Sequence, residues 1–261
     1  CSLMGGENRA FLVVIVGPTA VGKTSASIKL AGRLNGEIVS ADSRLFYRGM
    51  DIGTAKPTPE EMQGIPHHLI NVADPDEVWS LAAFQRQAYC AINDILKRGK
   101  CPLLVGGTGQ YIRSIIEGWQ IPPQSPDYHL RDALTHWGDE IGAEALHSRL
   151  GRLDPLAANK IDYRNVRRTV RALEVIFHTG ERFSEKRRKK GCPYTPIILG
   201  LQRSRDELYE RIDRRVDEMI DQGLVQEVKG LLKAGYSPDL PTMSAIGYGE
   251  IISYLQGEYS L

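Results

Sequence analysis

The chain has 261 residues, with 33 Lys and Arg against 32 Asp and Glu and a formal net charge of +1. That length holds one large domain or a core plus an insert. The balanced charge excludes a uniformly basic nucleic-acid binder, so any such affinity has to come from local clustering, and no apolar run approaches the roughly 18–20 residues of a membrane span.

Phe11–Val16 reads as a buried strand, residues 23–34 as the helix that follows it, and Glu37–Ser40 as a second short strand. Over about 80–98, Leu81, Phe84, Ala88, Ala91, Ile92, Ile95 and Leu96 recur at spacings that predict a helix, and Gly99 stops it. Pro102–Val105 is a further buried strand, ending in Gly106-Gly107. This strand–helix alternation predicts an α/β fold around a parallel sheet. Residues 117–196 differ. They open with Pro122-Pro123, carry helical patterns at about 127–150 and 164–178, and end in a basic run bracketed by Pro193 and Pro196. They read as an all-helical insertion between core segments 1–116 and 197–261. Ile197–Leu201 is again strand-like. Ser204 then caps a helix with Asp206 and Glu207 in its first turn and Leu208, Ile212, Val216, Met219 and Ile220 on one face. Gly223 ends it and two shorter helices follow.

Four cysteines (Cys1, Cys90, Cys101, Cys192) are widely spaced with no CxxC pair, which argues against zinc and for reduced thiols in a cytoplasmic protein. No signal peptide is visible. Cys1 stands where an initiator methionine would, which reads as a trimmed front; a lipid-modified amino-terminal cysteine is the sharper alternative.

Gly17-Pro18-Thr19-Ala20-Val21-Gly22-Lys23-Thr24 matches G-x-x-x-x-G-K-[ST], with the strand before it and the helix after it that the motif requires. Backbone N–H groups of Gly17, Thr19, Ala20, Val21 and Gly22 can converge on phosphate oxygens at a helix amino terminus. Lys23 adds a full charge, and Thr24 offers a hydroxyl to Mg²⁺. The motif specifies a polyphosphate, and a diphosphate suffices. P-loop hydrolases carry an Asp at the end of an apolar strand to help hold Mg²⁺; here Leu103-Leu104-Val105 runs into Gly106-Gly107-Thr108, which weakens a hydrolase more than a kinase. Asp42-Ser43 follows the second strand directly, and carboxyl ends of parallel strands line the ligand crevice. Asp42 is therefore a metal ligand, a general base, or a turn aspartate that caps its own loop; position alone does not choose.

Three stretches together carry a resemblance: Gly17–Thr24, the run Asp42-Ser43-Arg44-Leu45-Phe46-Tyr47-Arg48-Gly49-Met50-Asp51-Ile52-Gly53-Thr54-Ala55-Lys56-Pro57, and Val105-Gly106-Gly107-Thr108-Gly109-Gln110-Tyr111. With Asp154-Pro155, Ala157-Ala158, Arg171-Ala172-Leu173-Glu174-Val175 and Ile246-Gly247-Tyr248, they resemble the tRNA dimethylallyltransferase family of bacterial type, over nearly the whole chain. The resemblance implies a P-loop NTPase-like core. It implies that the P-loop, with Lys23, Thr24 and Mg²⁺, holds the diphosphate of dimethylallyl diphosphate, and that adenine N6 attacks the allylic carbon while Asp42 takes the proton. It places Arg215 on the diphosphate, one helical turn beyond Arg211, although a solvated helix face is the usual fate of such an arginine. It places Thr108, otherwise a helix cap, at the reaction channel. It assigns Asp42, Ser43, Arg44 and Leu45 to the flipped-out target base, and Arg131, Arg167, Arg168 and Arg171 to the tRNA. It implies that the preferred target is an adenine directly 3′ of the anticodon.

From Arg164 to Lys190 the chain carries ten Lys and Arg, opposed only by Glu174, Glu181 and Glu185. On a balanced protein this is a local basic surface of the kind that contacts a phosphate backbone, though a solvated charged helix is the bland reading. The resemblance also has departures. Arg164-Asn165 stands where the family usually has Asn-Asp, and the family pattern continues past Ile246-Gly247-Tyr248 through a further basic helical segment, whereas the sequence stops at Leu261. Three alternatives share parts of this signature. A prenyltransferase for free adenine nucleotides needs no basic helical insert. A small-molecule P-loop kinase needs an adenine pocket and an arginine-bearing lid. A nucleotide-gated RNA-binding module tolerates loss of Asp42. Nothing in the sequence demands more than a monomer or suggests a membrane.

Overall fold

The computed structural model describes residues 9–121, 127–185 and 191–258. Pro122-Pro123, the basic residues 186–190 and Cys1 lie outside the described residues.

Five parallel strands form the sheet: β1 (Phe11–Val16), β2 (Gly36–Ser40), β3 (His67–His68), β4 (Cys101–Val105) and β5 (Thr195–Gly200), in the order β3-β2-β4-β1-β5. Register runs Val13 opposite Leu103 and Ile197, and Ile38 opposite Leu103 and His67. The three central strands are the apolar runs seen in the sequence, and Leu12, Val14, Val39, Leu103 and Leu104 have no exposed surface. Helices cover both faces. α1 (Lys23–Leu34) lays Ile28 and Ala31 against Val13, Ile15 and Leu103. On the other side, after the single turn α2 (Pro59–Met62), α3 (Leu81–Lys97) buries Phe84, Ala88, Ile92 and Ile95, the stripe its spacing predicts. Burying each large side chain contributes roughly 1.5–3 kcal/mol. Behind β4, α4 (Gly109–Ile116) places Tyr111 face to face with Phe84, ring centroids 4.5 Å apart, and Phe46 stacks on the same ring.

The chain divides into two compact units, residues 1–116 with 192–261, and residues 117–191. The insert expected over 117–196 ends earlier: Thr195 and Pro196 already belong to β5, and Tyr194 is buried with its hydroxyl donating to Asn93. The second unit holds α5 (Tyr128–Ile141), α6 (Ala143–Leu153), α7 (Pro155–Ala158) and α8 (Val166–Thr179) around Leu134, Leu146, Leu150, Val170 and Leu173. One helical pattern over 127–150 is thus two helices, because Gly142 breaks the run at φ 87°, ψ 152°, a conformation reserved for glycine. Asp154, with no exposed surface, caps α7 through Ala157 N and accepts from both Ser184 N and Ser184 Oγ. The first unit is completed by α9 (Arg205–Asp221), α10 (Leu224–Lys233) and α11 (Tyr248–Leu255), with a second core of Met50, Leu224, Val228, Met243 and Tyr248. Among the described residues no helix is long and apolar enough to cross a membrane, and Cys90, Cys101 and Cys192 are free thiols.

A charged cluster pins the amino end of β2, away from the crevice. Glu37, 1% exposed, accepts from the guanidinium of Arg98, from Lys100 Nζ at 2.8 Å and stands 2.7 Å from His68 Nε2. The Arg98 hydrogen bonds hold its carboxyl well below the usual carboxylate range, against the opposing effect of burial, with Lys100 and His68 adding to them. A depressed folded pKa means this stabilisation is complete above the unfolded value of about 4.3 and is lost as pH falls below it. Glu37→Gln is therefore expected to cost about 2 kcal/mol at pH 7 and to flatten the acid limb of the thermal-midpoint profile; an unchanged slope between pH 5 and 3 would assign that limb to other carboxylates.

Candidate active site

The P-loop leaves β1, Asp42 follows β2, Gly106-Gly107-Thr108 follows β4 and Arg203 follows β5, so all four lie at the carboxyl edge of one parallel sheet. β2 and β4 are drawn together there. Ala41 N donates to Val105 O at 2.7 Å, and a Cβ on Gly106 would stand 2.4 Å from Ala41 O. Only glycine fits, and its absent side chain lets the residues carrying Asp42 and Thr108 meet. Gly107 lies over the lysine: a Cβ there would be 3.7 Å from Lys23 Nζ.

Lys23 Nζ donates to Gly17 O at 3.0 Å and Pro18 O at 2.8 Å. Its pKa is lowered by burial, raised in part by the Asp42 carboxylate, and lowered again by the Arg215 guanidinium. Arg215 is lowered by burial too, with Asp42 and then Glu218 acting in its favour. Asp42 thus acts on two half-buried cations, and a bound anion would offset part of the cost of desolvating them. Asp42 Oδ1 also accepts from Arg44 N at 3.1 Å, so the turn role left open by the sequence coexists with its place beside Lys23 and Arg215. Ser43, Arg44 and Leu45 follow in that turn, which is held by Asn71 N donating to Leu45 O and by buried Phe46. Thr108 precedes α4, and its carbonyl accepts from Ile112 N.

Arginines of α9 and the segment before it brace the loop. Arg211 Nε donates to Ala20 O at 2.7 Å, and Arg203 Nε donates to Val21 O at 3.1 Å. Ala20 sits at φ 63°, strained for a residue with a Cβ, and the Arg211 bond helps hold it there. Arg215 Nη2 donates to Thr54 O at 3.2 Å, in the Asp-Ile-Gly-Thr stretch. Sequence reasoning gave Arg203 no role; its place just past β5 at the carboxyl edge is the signal that finds it.

In the second unit, Arg131 Nε and Arg171 Nη1 both reach Glu174 Oε2, at 2.6 and 2.8 Å. Glu174 is 2% exposed and also accepts from Asp127 N. Its carboxyl stays charged because these donors outweigh the burial that opposes them. Arg167 and Arg168 lie in the first turn of α8, behind Asn165, whose Oδ1 caps Arg168 N.

Comparison with known proteins decides the family. A family model described as IPP transferase matches residues 45–261, and one described as Isopentenyl transferase matches residues 10–73. The tRNA dimethylallyltransferase of Thermomicrobium roseum is 51% identical over 98% of this chain and 78% of its own length. That of Roseiflexus sp. is 52% identical over 96% of this chain and 82% of its own.

The chain belongs to the tRNA dimethylallyltransferase family.

Solved structures agree. The tRNA isopentenylpyrophosphate transferase of Bacillus halodurans superposes with a TM-score of 0.69 at 47% identity, over 97% of this chain and 80% of that one. A eukaryotic dimethylallyltransferase acting on tRNA superposes with a TM-score of 0.81 at 30% identity, over 95% of this chain and 64% of that one. The family fold is thus the parallel five-stranded sheet described above. The dimethylallyltransferase signature from Asp42 to Pro57 turns out to run from the carboxyl edge of β2 to the loop that receives Arg215.

Proposed function

We propose that this chain transfers a dimethylallyl group from dimethylallyl diphosphate to N6 of an adenine beside the anticodon of tRNA, releasing diphosphate. The observation that carries the reading is the P-loop lysine, Asp42 and Gly106-Gly107-Thr108 gathered at one carboxyl edge of the sheet, with Gly107 against Lys23, in a chain of the dimethylallyltransferase family. The cradle made by Gly17, Thr19, Ala20, Val21 and Gly22, with Lys23 and Arg215, binds the diphosphate. As the bond from the allylic carbon to the diphosphate oxygen breaks, its electron pair leaves with the diphosphate, and preorganised donors stabilise that growing charge. N6 forms the new bond to carbon, and Asp42 accepts the N6 proton, which makes a weakly nucleophilic conjugated amine effective. Ser43, Arg44, Leu45 and Thr108 flank the extruded base.

The site fits Mg²⁺ held mainly by the donor's own oxygens. Among the described residues no group of three His, Cys, Asp or Glu side chains could hold a metal, and Mg²⁺ commonly takes few protein ligands alongside phosphates. Thr24 Oγ1 is the protein ligand we assign, and the ion would offset diphosphate charge. We further assign the protein to the cytoplasm as a monomer.

The helical unit is the tRNA platform. Arg167 and Arg168 occupy a first helical turn, where the helix dipole disfavours cations, so a phosphate there would relieve both. Arg131 and Arg171 belong to the same basic surface but also compensate Glu174, and removing them would strand a buried charge. Arg167→Ala with Arg168→Ala is therefore the informative pair. It should weaken tRNA binding and reduce the slope of log K against log salt by on the order of 1.5, with the thermal midpoint unchanged. An unchanged slope would move the RNA surface elsewhere.

The deciding experiment incubates the protein with labelled dimethylallyl diphosphate, Mg²⁺ and either unmodified tRNA or AMP. Label in the RNA alone is expected. Label in AMP would make this a free-nucleotide prenyltransferase, and label in neither would refute the transfer.

A further inference from the structure

We infer that Glu227, with the Tyr248 hydroxyl, is a positioning residue for the diphosphate subsite, fixing the loop whose carbonyl aims Arg215. The inference rests on the transfer reaction proposed above. Glu227 lies on α10, outside every motif the sequence offers. Its Oε2 accepts from Asp51 N at 2.9 Å and Ile52 N at 2.8 Å, and its Oε1 from Gly53 N at 3.2 Å and Tyr248 Oη at 2.5 Å. Three consecutive backbone N–H groups converging on one carboxylate make an anion nest, here filled by the protein itself. The fit is tight: a Cβ on Gly53 would stand 2.5 Å from the Tyr248 ring. Tyr248 has no exposed surface. Burial first, and then the Glu227 carboxylate, push its hydroxyl far above the usual range, so it remains a donor.

The next residue makes the connection. Thr54 Oγ1 donates to Met50 O at 2.7 Å, and Thr54 O receives Arg215 Nη2. On the far side of the loop, Lys56 Nζ donates to Tyr47 O at 2.7 Å and Asn71 Oδ1 at 2.5 Å. The loop is thus clamped at both ends, with its carbonyl directed at the guanidinium. Arg215 Nε is buried and has no hydrogen-bond partner among the described residues, so the Thr54 contact is what orients it. Glu227 touches no reacting atom. It acts through Thr54 and Arg215, and a small shift of the loop would misdirect the cation that meets the leaving group.

The test is a double-mutant cycle on the whole chain, read by calorimetric titration with inorganic diphosphate and by turnover. Glu227→Gln puts an NH₂ where a carboxylate oxygen accepts, against backbone N–H groups. It should weaken diphosphate binding and lower kcat each by about tenfold, leaving KM for tRNA in place. In an Arg215→Gln background the same change should cost less than about twofold. Tyr248→Phe removes one hydroxyl from a buried ring and should give a smaller loss in the same two readouts, also absent when Arg215 is gone. Equal losses in both backgrounds, or unchanged diphosphate affinity in Glu227→Gln and Tyr248→Phe, would overturn the role. A wild-type chain that binds diphosphate yet leaves tRNA unlabelled would refute the transfer reaction, while the affinity cycle would still decide what Glu227 does.

Discussion

Asp42→Asn is expected to slow prenyl transfer by roughly 10²–10⁴-fold while keeping diphosphate and tRNA affinity within about twofold. The substitution is nearly isosteric, and the amide oxygen can still accept from Arg44 N, so the turn survives. On the proposed mechanism, what goes is the group that takes the N6 proton. The negative charge beside Lys23 and Arg215 goes too. Losing it leaves two neighbouring cations less compensated, so the empty site should hold diphosphate at least as well as before. Single-turnover kinetics with saturating donor separate the cases: a slow chemical step with normal binding supports the base, and full activity removes Asp42 from the mechanism.

Lys23→Met is expected to lower kcat/KM for the donor by roughly 10²–10³-fold, the usual loss when a preorganised charge facing the developing anion is removed. The effect on folding should be slight. Lys23 is a desolvated ammonium whose present partners are the carbonyls of Gly17 and Pro18. Methionine restores the aliphatic bulk without a buried charge, so the gain in solvation offsets the two lost hydrogen bonds to within about 1 kcal/mol. A thermal midpoint near that of the wild type, together with lost diphosphate binding in a calorimetric titration, is the expected pairing. Unchanged donor kinetics would mean that the P-loop lysine does not face the diphosphate.

The two substitutions probe features that the sequence displayed well. Strand β1, helix α1 and the P-loop between them are legible because a short apolar run, a glycine-framed turn and a helical stripe follow one another within 24 residues. The partners of that loop are not legible. Arg211 meets Ala20 across 191 residues, Arg203 meets Val21 across 182, and Glu227 meets Gly53 across 174. No local spacing encodes such pairs; they arise only when the strands set their carboxyl ends side by side. β3 escaped notice because two residues, His67 and His68, show no periodicity. β5 was legible as a strand but not as an edge. Its Ile197, Ile198 and Leu199 are as apolar as the central strands, yet they remain 40–52% exposed, and composition alone does not tell a middle strand from a border strand.

Helix α9 has seventeen residues and none is buried. Met219 and Ile220 attach its carboxyl end to the second core, while farther forward Arg211 and Arg215 tie it to backbone carbonyls of Ala20 and Thr54. The crevice therefore has two walls of different character. The wall with Asp42 is locked by sheet hydrogen bonding and by Gly106 against Ala41. The facing wall is a strut fastened at one end by apolar packing and at the other by polar clasps. On the proposed reaction, any adjustment to donor and product would fall to the strut, while Asp42 and the turn beside it keep their places. Such an arrangement separates the accuracy of the chemical step from the ease of turnover.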